Sequence, residues 1–181
     1  QGDNWPKEYR GGMFTVNLHG LRLNHDAIER SGATYVGKHR PDFMQAKDPW
    51  FRAVDLMSGP DGGVYVLDWS DIGECHENDG VHRTSGRIYK IDFDKPAKLP
   101  ADFDLAKKTT AELIELQSHP NEWYGRTARR LLQERFVNGE DFSAVHEKLW
   151  SELVKPANPK LQLRRLWILD VTNGLKLDRL L

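Results

Sequence analysis

Residues 48–91 read DPWFRAVDLMSGPDGGVYVLDWSDIGECHENDGVHRTSGRIYKI, and the way apolar residues alternate within them decides the fold. Phe51 to Met57 alternates into Ser58-Gly59-Pro60-Asp61-Gly62-Gly63, a turn in which Pro60 presets φ and the glycines permit φ > 0. Val64 to Trp69 supplies a second strand, with Val64, Val66 and Asp68 on one face and Tyr65, Leu67 and Trp69 on the other. Ser70 to Ser85 is a polar loop, and the run from Gly86 to Phe93 makes a third strand.

Upstream, Gly12 to His19 alternates, Gly20 breaks the pattern, and Leu21 to Asn24 and Ala33 to Gly37 resume it, the spacing of a meander. Downstream, residues 95–108 open with Lys95-Pro-Ala-Lys-Leu-Pro100, which has two prolines and no period, and read as a linker. From residue 109 the period becomes helical. Thr110 is expected to cap a helix running to Gln117, and Asn121 to cap a second carrying Tyr124, Ala128, Leu131, Leu132 and Phe136 and stopped by Gly139. Asp141 is expected to cap a third helix with Phe142, Val145, Leu149 and Leu153, closed by Pro156. A fourth opens at Pro159, carries Leu163, Leu166, Trp167 and Leu169, and ends with Gly174 at C′. The starts near Pro120 and Pro159 are about forty residues apart, and Arg129-Arg130-Leu131 recurs as Arg164-Arg165-Leu166, a spacing that fits a HEAT-like array. The fold class is therefore two-part: antiparallel β in residues 1–94, a linker, then an all-α array in residues 109–181.

Composition bounds the partners. A net charge of -1 provides no global field for nucleic acid or anionic lipid, and no stretch reaches the roughly 18 apolar residues of a membrane span. Six Trp and seven Phe are enough for a packed core. Cys75 is alone, so it makes no internal disulfide, and Ile72 stands where a Cys-x-x-Cys-His haem attachment needs its first cysteine, so no haem is expected. Gln1 is not a start residue, and the chain is expected to begin inside a longer protein.

Asp48-Pro-Trp-Phe-Arg52, Gly59-Pro-Asp-Gly62, Val64-Tyr-Val-Leu-Asp-Trp69 and Gly86-Arg-Ile-Tyr-Lys-Ile91, preceded by Asn17-Leu-His-Gly20, resemble a family of large secreted planctomycete and verrucomicrobial proteins described as membrane-bound dehydrogenases. That family is related to the soluble quinoprotein glucose/sorbosone dehydrogenases. His119-Pro-Asn-Glu-Trp123 and Arg126-Thr-Ala-Arg-Arg130 are similar to the first HEAT segment there. The resemblance implies the last one or two blades of a six-bladed β-propeller followed by HEAT/ARM-type repeats, with further blades upstream and further repeats downstream as partners. It also implies a periplasmic or secreted location, and pyrroloquinoline quinone (PQQ) with Ca²⁺ as cofactors of the complete protein.

By propeller topology the 59–63 turn lies on the face opposite the ligand, and the 70–85 loop lies with Trp50, Arg52 and His19 on the ligand face. Asp68, Asp71, Glu74 and His76 are candidate metal ligands, of a type suited to a hard cation; the alternative is a solvated loop in which Asp68 or Asp71 bonds its own backbone. His19 is the candidate general base by analogy with quinoprotein sugar dehydrogenases, or else a structural histidine. Arg52, Arg83 and Arg87 have the bidentate geometry for a quinone's carboxylates, or else form ion pairs within the β unit. Trp50, Phe51, Trp69 and Tyr89 stack on sugar or fill the core. Arg126, Arg129, Arg130, Arg164 and Arg165 form a basic groove for a partner, or a solvated face paired with Glu. Three functions follow: part of a quinone-dependent sugar or alcohol dehydrogenase, a non-catalytic module binding a glycan or protein, or a structural spacer.

Overall fold

The computed structural model describes residues 4–73, 82, 84–95, 97–155 and 158–179. The chain divides into two compact units, Gln1–Lys98 and Leu99–Leu181, one built of antiparallel sheets and the other of helices.

In the β unit, β1 (Met13–Asn17), β2 (Arg22–Ser31), β3 (Thr34–His39) and β4 (Met44–Gln45) form one sheet. The first half of β2 pairs with β1 and β4, and its second half with β3. β2 does not stop at Asn24 as its polarity predicts. It continues through Asp26, Glu29 and Arg30 because that half is a solvated ribbon, where charged side chains cost nothing and Lys38 pairs with Glu29 at 2.6 Å across the strands. The second sheet is the meander expected from residues 48–91: β5 (Ala53–Ser58), β6 (Val64–Asp68) and β7 (Arg87–Ile91), all antiparallel. Its inner face places Ala53, Leu56, Val64, Val66 and Ile91 in one core with Leu23, Val16 and Met44 of the first sheet, with Phe43 just before β4, and with buried Phe51. On the other face Met57 and Ile88 are exposed. The β5–β6 turn is held by Gly62 in the left-handed region (φ 76°) and by Asp61 Oδ1, which accepts from Gly63 N at 3.1 Å.

The helical unit contains α1 (Thr110–Glu115), α2 (Glu122–Val137), α3 (Ser143–Leu153) and α4 (Pro159–Val171). Thr109, not Thr110, caps α1, because a full capping box forms there: Glu112 N donates to the Thr109 hydroxyl, and the Glu112 carboxylate accepts from Thr109 N. Asn121 and Asn158 cap α2 and α4, and Gly139 (φ 92°) stops α2. The core joins Leu113, Ala128, Leu132, Phe142, Leu149, Ile168 and Leu169. The expected closure of α3 at Pro156 lies outside the described residues. Among the described residues no helix is long and apolar enough to cross a membrane.

Candidate functional site

The chain enters β5 through Asp48-Pro49-Trp50-Phe51-Arg52 and leaves β6 through Trp69 and Ser70, so these two segments lie side by side at one end of the second sheet. Trp69 N donates to Arg52 O at 2.8 Å and Asp71 N to Trp50 O at 2.9 Å, which extends the pairing past the strands. Asp68 closes this end. Its side chain is fully buried; Oδ1 accepts from Arg52 N (2.7 Å) and Ser70 N (2.9 Å), while Oδ2 accepts from Arg87 Nε at 2.7 Å and lies 2.7 Å from Arg87 Nη2. Arg87 then reaches Asp48 Oδ2 through Nη1 at 2.6 Å, so one guanidinium bridges two carboxylates from β6 and from the segment before β5. The hydrogen bond from Trp50 N and the one from Arg87 hold the Asp48 carboxyl below its ordinary pKa.

Arg52 is buried, and among the described residues no carboxylate pairs with it. Its Nε donates to Gly73 O (3.3 Å), Nη1 to Pro49 O and Phe51 O (2.9 Å each), and Nη2 to Ile72 O (2.8 Å). Four carbonyls from two chain segments thus converge on one planar group, a geometry that fixes the segments against each other. Asp71 completes the arrangement: Oδ1 accepts from Gly73 N (3.2 Å) and Oδ2 from the Trp69 indole N–H (3.3 Å). Burial pushes its pKa up, but the bonds from Gly73, Trp69 and the His82 backbone outweigh burial and leave it below the ordinary value. The far end of the 70–85 loop returns to the same place, where the Ser85 hydroxyl donates to Ser70 O at 2.9 Å and the Trp50 and His82 rings meet edge to face at 4.4 Å. The two ends of the loop therefore form a stem.

Of the residues singled out in the sequence, the structure brings Arg52, Asp68, Asp71 and Arg87 together. Among the described residues the Arg52 donors go to backbone carbonyls, and Arg87 Nε and Nη1 go to Asp68 and Asp48 with Nη2 buried beside Asp68 Oδ2, so neither presents an open bidentate edge to a quinone carboxylate as placed. Glu74, His76 and Arg83 lie outside the described residues. Among the described residues no group of three or more His, Cys, Asp or Glu is placed to hold a metal. His19 lies exposed in the β1–β2 turn, where Asn17 Oδ1 accepts from Gly20 N at 2.7 Å. The aromatics separate. Phe51 is core at 2% exposure, Tyr89 lies under Arg87 with the guanidinium 5.3 Å from the ring centre, and Trp69 is 57% exposed. Sequence reasoning missed Asp48, whose partner is 39 positions away; its place before Pro49 was the available signal.

A family model described as "Domain of unknown function (DUF7133)" matches residues 1–95, just over half of the chain. No curated protein and no solved structure matches.

Proposed function

Because the chain belongs to the DUF7133 domain family, whose description assigns no activity, the function has to be read from the site, and we propose that this chain is a glycan-binding module. In this reading it is part of a glucose/sorbosone dehydrogenase-like propeller followed by a HEAT-like array, with Trp69 as the stacking platform and the 70–85 loop as the recognition element. The observation that carries the reading is Trp69: a large ring 57% exposed at the root of the loop, with its indole N–H held by Asp71 Oδ2 at 3.3 Å. Exposed aromatic rings locked in orientation offer an apolar face at little entropic cost, and the C–H face of a pyranose is complementary to that. The meander of β5, β6 and β7 supports the blade comparison, and the short turns between capped helices support the array comparison.

The charged residues do structural work in this account. Arg52, Asp68 and Arg87 hold the stem, and the loop's own Glu74, His76, Glu77 and Asp79 are the polar groups available by sequence for sugar hydroxyls or for Ca²⁺. PQQ, when bound to a complete protein of the resembled family, supplies hydride acceptance; the stem arginines do not fit the task of holding it, and no step is assigned to it here.

Titrating the chain with glucose and a panel of neutral oligosaccharides, followed by tryptophan fluorescence, tests the reading. Trp69→Ala is expected to weaken binding roughly tenfold, with a stability cost of about 1 kcal/mol because Asp71 Oδ2 loses the indole N–H. Equal affinities for wild type and Trp69→Ala, or Ca²⁺-dependent binding of PQQ that Arg87→Lys removes, would replace it with the dehydrogenase reading.

A further inference from the structure

The helical unit carries a second feature, independent of the reading given to the β unit. Five arginines were candidates for a basic groove, and the structure sorts them. Arg130 pairs with Glu134 (2.6 Å), Arg165 with Glu152 (2.9 Å), and buried Arg164 with Glu122 and the Gln117 carbonyl. Glu122 also takes Lys160 at 2.6 Å. Arg126 and Arg129 are left on the α2 side of the α2–α4 seam, and among the described residues neither has a carboxylate at ion-pair distance.

The position of Arg129 is unusual. Its guanidinium lies 4.8 Å from the centre of the Trp167 ring and makes one long hydrogen bond, Nη1 to Gln117 Oε1 at 3.4 Å. Burial lowers its pKa, and the neighbouring Arg164 and Arg126 lower it further against a single opposing carboxylate, Glu122. The one carboxylate that acts on Arg129 is thus already paired with Lys160 and Arg164. Along the same seam α4 exposes Leu163 (45%) and Trp167 (40%). Contacts ascend together on the two helices, Glu122 with Lys160 and Arg164, then Arg129 with Trp167, so the exposed apolar and cationic groups form one continuous strip.

We propose that this strip docks an acidic polypeptide segment that carries an apolar side chain. A carboxylate of the segment takes the open N–H edge of Arg129 and the free guanidinium of Arg126, and the apolar side chain covers Leu163 and the outer part of Trp167. Charge complementarity selects this occupant: among the described residues no carboxylate lies at ion-pair distance from Arg126 or Arg129, and the strip holds a Trp–Arg pair of the kind that dominates interface energetics. Binding relieves the mutual repulsion of Arg129, Arg126 and Arg164, so it is favoured at low ionic strength and weakened by salt.

The test is fluorescence anisotropy on the whole 181-residue chain with a labelled dodecapeptide alternating Glu with Leu and Phe. Its Lys-for-Glu counterpart, phosphatidylserine vesicles and a single-stranded oligonucleotide serve as the other arms. The acidic peptide is expected to bind, with affinity falling as salt rises. Arg126→Glu, an exposed change that leaves packing intact, is expected to weaken binding tenfold or more, and Trp167→Ala to weaken it at unchanged salt dependence. The proposal is overturned if the acidic peptide fails to bind, if Arg126→Glu binds it as wild type does, or if the Lys peptide, vesicles or oligonucleotide bind more tightly than the acidic peptide.

Discussion

His25 shows how one residue couples packing to pH. It is 5% exposed and sits between the rings of Phe14 (4.4 Å, interplanar 9°) and Tyr9 (5.8 Å, 16°), and its buried Nε2 has no hydrogen-bond partner among the described residues. Gly12 makes room for the ring: a Cβ there would lie 2.6 Å from Nε2. Burial, then the charge of Arg40, depress the His25 pKa below 6.5, against a weaker pull upward from Asp26. A depressed folded pKa means the unfolded chain takes up the proton first, so the stabilising contribution is complete above about pH 6.5. It declines as pH falls through the folded value. Thermal unfolding of the β unit is therefore expected to move to lower temperature between pH 7 and pH 5, and His25→Phe to flatten that slope. Parallel slopes for the two proteins would show that another group is responsible. At the stem, residue types were legible and roles were not. Arg87 read as an ion-pair arginine ahead of a cofactor arginine, but its partners, Asp68 and Asp48, are 19 and 39 positions away and could not be named.

Secondary-structure elements were more legible than roles, because periodicity and caps are local. The 48–91 meander and the starts of α2 and α4 follow from alternation, Asn121 and Pro159. Where neighbours decide, sequence reading fell short. Gly174 reads as the left-handed C′ residue of α4, yet Asn173 takes the positive φ (55°) and Gly174 is needed for a close approach: a Cβ on it would meet the His146 ring at 2.4 Å. His146 Nε2 lies 3.0 Å from the Thr172 hydroxyl, and Trp150 Nε1 donates to Gly174 O at 3.0 Å, so α3 packs onto the end of α4 through this glycine. Gly174→Ala is expected to destabilise the helical unit by about 1–3 kcal/mol. In a His146→Ala background the same change should cost much less, since the clashing ring is gone. Additive costs in urea unfolding would mean that the glycine acts through backbone freedom instead. On α4, which carries Leu163, Leu166, Trp167 and Leu169, the sequence named no core-facing side, and Leu163 and Trp167 are exposed while Leu169 is buried. Apolar residues occupy several sides of that helix, and buried Arg164, held by Glu122 and the Gln117 carbonyl, takes a position that an aliphatic stripe would have claimed.

For the whole molecule, two units of different class follow one another, and the boundary at Lys98 falls within the proline-containing segment that separates the strand period from the helix period. The second sheet leaves Val54, Met57 and Ile88 50%, 52% and 74% exposed, more apolar surface than a solvated sheet face usually carries. Self-association of the chain at micromolar concentration is the expected consequence, and replacing Met57 and Ile88 with Lys should return it to monomer by light scattering. A monomeric wild type would show that this face needs no cover. The account rests centrally on the stem, on Asp48, Arg87, Asp68 and Arg52 fixing the root of the 70–85 loop instead of binding a cofactor. Amide hydrogen exchange in wild type and Arg87→Met measures this most directly. The stem predicts that the Arg52, Trp69, Ser70 and Asp71 amides lose protection together, by roughly tenfold or more, as Asp68 is left a buried unpaired charge, while amides of α2 are unchanged. Wild-type protection at those four amides in Arg87→Met would contradict it.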